Sequence, residues 1–166
     1  NLELPQQNEQ NKEKITEFRN QQFWQTTAAE VLGAIGDPAA VDPLLKVLLD
    51  PAKVNLHADA VVSLVKLGKP AVARAMQLLA GEDKDLVEFA ALKARKAANL
   101  PTLSPTDNPH VRTAAIVLGT LGHASAAPAL IATLSREQNE ANKGVILREL
   151  AKLPGTPEIK RAFQDG

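Results

Sequence analysis

The chain has 166 residues, enough for one domain or a short repeat array, and its 19 Lys and Arg balance 19 Asp and Glu. That neutrality argues against nucleic acid as a partner, since a nucleic-acid binder needs a basic surface to displace counterions from phosphate. Cysteine is absent, which excludes disulfides, a thiolate zinc site and a cysteine nucleophile.

Residues 1–11 are polar and amide-rich, a composition expected at a poorly ordered terminus. The first residue is Asn1 rather than Met, which points to a processed product or an excised segment, so the compartment stays open. From about 11 to 32 there is neither Pro nor Gly, and Ile15, Phe18, Trp24, Ala28, Val31, Leu32 and Ile35 recur at near-helical spacing. This predicts a leading helix that runs into the first repeat. Residues 1–22 are assigned to a polar segment and capping helix, and Phe18, Phe23 and Trp24 are expected to cover the repeat's open apolar end. If the chain is a fragment, apolar surface bared at Trp24 or the distal Phe163 is expected to drive a dimerisation absent in the parent protein.

A repeat then emerges. Val31-Leu32-Gly33-Ala34-Ile35-Gly36-Asp37-Pro38 is echoed by Val117-Leu118-Gly119-Thr120-Leu121-Gly122-His123-Ala124, and more weakly by Leu64-Val65-Lys66-Leu67-Gly68-Lys69-Pro70. Gly36 and Gly68 are 32 positions apart, as are Gly122 and Pro154, whereas Gly68 and Gly122 are separated by 22 more than that. Such a period signals stacked helix pairs, each burying an apolar face its neighbour also needs buried. Counting back from the turn, positions −1, −4 and −8 are apolar in all four copies, one stripe of a helix. They are Ile35, Leu32 and Ala28; Leu67, Leu64 and Ala60; Leu121, Leu118 and Ala114; Leu153, Leu150 and Ile146.

A second helix follows each turn, carrying Val41, Leu44, Leu45 and Leu48, then Val72, Met76 and Leu79, then Leu130, Ile131 and Leu134, and last Ile159 and Phe163. Asp37-Pro38, Asn108-Pro109 and Thr156-Pro157 place a capping side chain before a first-turn proline, and Asn55 is placed to cap the next helix. The repeat domain is bounded at 23–163, with repeats at about 23–50, 55–80, 108–135 and 138–163. The surplus at 83–107 predicts a helix over 85–98, with Leu86, Phe89, Ala90 and Ala97 on one side, then a proline-rich loop. It reads as a partial repeat or as a bent extension of the preceding helix.

These residues resemble the HEAT family, most closely its short bacterial form, the phycobilin-lyase-like HEAT repeats. Asn108 to Gly122 is similar to that family's first helix, and Gly36 to Leu45 to its turn and second helix. The resemblance implies an all-α, right-handed α-α superhelix of about four helix pairs, with an extra helix between repeats two and three. It also implies protein–protein interaction, with second helices lining a concave side. Arg112 matches the family's basic first-helix residue.

Catalytic patterns are not apparent. The histidines lack the following Glu that iron-binding HEAT-like hydroxylases carry, although His57 and His110 begin equivalent helices; ordinary surface histidines are expected. No phosphate-cradling glycine loop or nucleophile elbow is present. Lys93, Arg95 and Lys96 read as a solvated helix face. No apolar run approaches the ~18 residues of a membrane span. The expectation is therefore a non-catalytic scaffold that binds a protein partner, with no metal and no cofactor. Asp42, Lys46, Arg74, Gln77 and Thr133 on the second helices are its candidate contacts. The alternatives are a bilin lyase or chaperone-like enzyme, or one segment of a larger solenoid.

Overall fold

The computed structural model describes residues 9–104, 106–155, 157 and 159. Eight α-helices follow one another among the described residues, with no strand: α1 (Glu9–Ile35), α2 (Val41–Leu48), α3 (His57–Leu67), α4 (Lys69–Ala80), α5 (Lys84–Ala98), α6 (Pro109–Leu121), α7 (Ala127–Arg136) and α8 (Glu140–Leu150). Short 3₁₀ turns at Pro38–Ala40, Pro51–Leu56 and Ala124–Ala126 complete the connections. The Thr156 cap and Phe163 of the expected fourth repeat lie outside the described residues, as does the start of the 1–22 segment.

The helices stack in two rows. α1, α3, α6 and α8 form the first row; α2, α4 and α7 form the second, each also packing on the first-row helix of the next repeat. This is an all-α helical repeat fold. The apolar stripe read from the sequence is its seam: Ala60, Leu64, Ala114, Leu118, Ile146 and Leu150 are all essentially inaccessible, as are Leu44, Leu45, Leu79 and Leu130 opposite them. Burying a side chain of this size contributes about 1.5–3 kcal/mol, which is why interdigitated Leu and Ala suffice where aromatics are few.

Local chemistry sets the ends. Asp37 and Asp50 cap the 3₁₀ turns through the Ala39 and Ala52 N–H groups, Asp83 caps α5 through Leu86 N–H, and Asn139 caps α8 through Asn142 N–H. Two expected caps are not formed. The residue preceding α3 is Leu56, with no side-chain cap, so Asn55 does not serve there. Asn108 makes no cap on α6, because its amide is drawn to Glu137 on the next repeat.

Residues 83–107 are not an extension of the preceding helix. α4 ends at Gly81 in the left-handed region (φ 74°, ψ 22°), a C-terminal geometry that a side chain resists, and α5 starts afresh at Asp83. α5 lies against α6, the Pro51–Leu56 turn and the end of α2. There Lys93 is not simply solvated: its ammonium pairs with Asp50, whose side chain is 6% exposed.

Stacking distances differ along the first row. Gly33 of α1 receives Ser63 of α3 so closely that a methyl at Gly33 would stand 2.8 Å from the Ser63 Cα. Ser63 Oγ then donates to the Ala29 carbonyl at 2.8 Å. At the equivalent place Gly119 of α6 receives Glu149 of α8, where an added methyl would stand 2.7 Å from the Glu149 Cβ. Between these two junctions α3 meets α6 only briefly, and the corresponding residue is Val65.

The aromatic cap is not formed. Phe18, Phe23 and Trp24 are 60%, 62% and 67% exposed, so they cover nothing of the first repeat. Phe18 lies on the front of α1, whose 27 residues outrun the 11 of its partner α3, while Trp24 faces away from Ala29 and Gly33, the side that packs on α3.

Candidate partner-binding site

Three of the five predicted contact residues converge. Arg74 on α4 donates from Nε to Asp42 Oδ1 of α2 at 2.6 Å and from Nη2 to Asp42 Oδ2 at 2.9 Å, a two-pronged pair across adjacent repeats. It also pairs with Asp83 and donates from Nη1 to Gln77 Oε1 at 3.0 Å. The hydrogen bonds from Arg74 to Asp42 hold the guanidinium firmly charged. Asp83 is held below the usual carboxylate range by the Leu86 N–H, with Arg74 adding to the effect. This cluster spends its cation internally: one guanidinium serves two carboxylates and leaves little for a visitor. It ties repeat one, repeat two and α5 together.

The other two separate. Lys46, one turn beyond Asp42, is exposed and takes no part in the cluster. Thr133 is not a surface contact: it is 3% exposed, and its hydroxyl donates to the Ala129 carbonyl and accepts from Arg136. On the short α7 it falls on the side turned toward the neighbouring repeat, which stripe counting on a single helix does not reveal.

A buried polar stitch lies nearby. Glu137, 6% exposed, accepts from the Gln138 and Asn139 N–H groups at 2.9 and 3.0 Å and from the Asn108 and Asn142 amides. Burial opposes its charge, but those donors prevail and hold it below the usual range. Asp50 occupies the matching place after α2, where burial is likewise outweighed by Lys93 and the Ala52 N–H. His110 is buried beside this stitch, and desolvation pushes its imidazole toward the neutral form. His57 instead donates from Nε2 to the Asp50 carbonyl at 3.2 Å. Neither is an ordinary surface histidine, for both belong to the loop edge where α5 sits. Among the described residues no group of three acidic or imidazole side chains is placed to hold a metal ion.

A further surface was missed by sequence reasoning. A groove of about 570 Å³ runs between α5, the Pro51–Leu56 turn and the start of α6, with Leu49, Val54, His57, Ala94, Ala97 and Arg112 among its walls. It is mostly apolar. Val54 at its side is 68% exposed, and Arg112 is exposed and makes no ion pair among the described residues. The groove lies where α5 packs on α6 and on the Pro51–Leu56 turn without closing on α3. The sequence signal was the surplus of 22 residues together with Ala94 and Ala97 on one helix face. Lys93 at its back is committed to Asp50, so Arg112 is the groove's available charge.

Two segments match the family model of the PBS lyase HEAT-like repeat, residues 24–50 and 111–136. They correspond to the end of α1 with α2, and to α6 with α7. The α3–α4 pair lies outside both matches. Its turn glycine, Gly68, has φ 65° and ψ −125°, unlike the left-handed Gly122 (φ 68°, ψ 15°) of the matched second segment. No curated protein and no solved structure matches the chain.

Proposed function

This chain carries PBS lyase HEAT-like repeats, and on that premise we propose that it is a non-catalytic scaffold holding a protein segment in the α5 groove. The observation that carries the reading is the groove itself, a mostly apolar surface beside α5 with an exposed cation, Arg112, on its wall. Apolar clefts with few polar groups are the usual form of a recognition site, and a basic residue at the edge selects for an acidic group in the occupant. The fitting partner is a short apolar segment, helical or extended, carrying a carboxylate that reaches Arg112. The Asp42–Arg74–Asp83 cluster supports the same reading in a different role, as a clamp that fixes the frame on which the groove is built.

The test is affinity capture from the source cells with the chain and two groove variants, Ala94→Trp to fill the groove and Arg112→Glu to reverse its charge. A protein retained by the parent chain and by Lys46→Glu, but lost with both groove variants, supports the proposal. Loss with Lys46→Glu alone returns the site to the second-helix face, and recovery of small molecules without protein overturns the scaffold reading.

A ligand reading also has an observation in its favour, since an apolar groove with an arginine on its wall suits an extended tetrapyrrole bearing carboxylates. Mixing the chain with a bilin and recording absorbance decides it: a shifted, intensified visible band that disappears in Ala94→Trp replaces the scaffold with a bilin-binding or lyase role.

A further inference from the structure

We propose that the α5 groove runs on along the seam between α3 and α6, and that the track so formed receives an acidic amphipathic helix of the protein partner. This inference rests on the scaffold reading above and names its occupant. Val65 stands where Gly33 and Gly119 receive the next helix at the two close junctions, so it faces α6, and Val62 shares its side one turn earlier. The two are 48% and 52% exposed, where α3 and α6 meet only briefly. The corresponding pairs on the other first-row helices are Glu30 and Gly33, Ile116 and Gly119, and Arg148 and Ala151. An exposed pair of apolar side chains at these places is therefore peculiar to the junction beside the groove. The connection to the groove is helical. Val61 and Val65 follow the groove residue His57 by one and two turns, and Ile116 follows Arg112 by one turn. The seam thus adds about 12 Å to the groove.

The occupant's form follows from what the seam lacks. Val62, Val65 and Ile116 offer no hydrogen bonds, and beyond their first turns the backbones of α3 and α6 are paired within their own helices. An extended segment laid here would leave its own N–H and C=O groups unpaired. A helix satisfies them internally and needs only an apolar stripe. Its charge follows from the surroundings. α6 carries no Asp or Glu from Pro109 to Leu121, and neither does the turn Pro51–Leu56. The carboxylates on or next to these elements are already engaged: Asp50 by Lys93, Asp59 by Thr26, and Asp107 by the Ser104 N–H and the Asn139 amide. On α5, Asp85 and Glu88 precede the groove-lining Ala94. Arg112 and Lys66 are exposed and make no ion pair among the described residues. In a chain of zero net charge, this side presents unengaged cations, and carboxylates along the edges of a docked helix complement them.

The deciding experiment is selection of phage-displayed random peptides against the full chain, each about 16 residues long and so ~24 Å when helical. Enriched peptides are synthesised, their helicity is followed by circular dichroism, and their affinity is measured by fluorescence anisotropy. The expected peptides are net acidic, become helical on binding and weaken as salt rises. Val62→Glu and Arg112→Glu, both at exposed sites, should keep the parent's helicity and melting point yet weaken these peptides at least ~tenfold. Lys46→Glu should leave their affinity unchanged. Peptides lost with Ala94→Trp and Arg112→Glu but indifferent to Val62→Glu overturn the track and leave the scaffold reading of the groove standing. Peptides that are basic or that bind without becoming helical overturn it too, as does a selection that enriches nothing. Peptides indifferent to all of these variants count against both readings.

Discussion

The junctions α1/α3 and α6/α8 are close; the junction α3/α6 between them is not. The two close ones share a glycine three positions before the turn, Gly33 or Gly119, into which the next helix presses Ser63 or Glu149. The open one has Val65 at that position, 48% exposed. One residue's volume per junction therefore accompanies the difference between a close seam and a looser one. In a repeat protein each interface stands largely by itself, so one junction can open while its neighbours stay shut.

The largest expected effect probes a sealed seam. Gly→Ala inside an exposed helix ordinarily stabilises by up to ~1 kcal/mol. Gly119→Ala should do the opposite and cost about 2–3 kcal/mol, because the new methyl meets the buried Glu149 stem and forces α6 and α8 apart. Urea unfolding measures this. Gly119→Ala combined with Glu149→Ala should lose less than the two single changes together, since one steric conflict is shared. A Gly119→Ala variant as stable as its parent would end the close-packing account.

Acid provides the next test, and it acts on the loop edges that hold repeats together. Asp50, Asp83 and Glu137 all titrate below their ordinary values of 3.8, 3.8 and 4.5. A carboxyl whose folded value is depressed contributes stability that is fully present above the unfolded value and lost as pH falls through the folded one. The melting temperature should thus be flat above those ordinary values with respect to these groups and drop steeply beneath them. Glu137→Gln should lower the plateau and flatten the drop. An acid limb of unchanged steepness in that variant would remove Glu137 from the stitch.

Much of this fold was legible, and the boundary of legibility is physical. Ala60, Leu64, Ala114 and Leu118 could be placed on a common seam because period 3.6 within a helix and 32 between copies are both written in residue type. Asp42, Arg74 and Gln77 could be placed on the second-helix layer for the same reason. That Arg74 would be consumed by Asp42 and Asp83 could not be seen, because the pairing depends on how far repeats one and two are rotated, which no spacing within a repeat encodes. Trp24 was assigned to cover the open end of the first repeat, but on α1 it faces away from Ala29 and Gly33, the side that packs on α3. The groove escaped because its walls come from three elements that are distant in sequence and individually unremarkable, Val54, Ala94 and Arg112.

Loosening the wedge should cost less than tightening a seam. Lys93→Ala leaves Asp50 buried with the Ala52 N–H but without its cation, an expected loss of about 1–2 kcal/mol. If α5 is fastened at this point, amide exchange in α5 should accelerate while exchange in α8 stays as before. Equal acceleration throughout would mean that α5 does not move as a separate unit.

The smallest effect is the sharpest counterpart to Gly119→Ala. Val65 occupies the same place in its repeat, so Val65→Ala removes bulk where Gly119→Ala adds it. Half of the Val65 side chain already faces water, and its replacement raises helix propensity by about 0.5 kcal/mol. The small loss of buried apolar area offsets that gain, so the net change should lie within about 0.5 kcal/mol of zero. A drop of several times that size would mean that Val65 supports the α3/α6 junction directly.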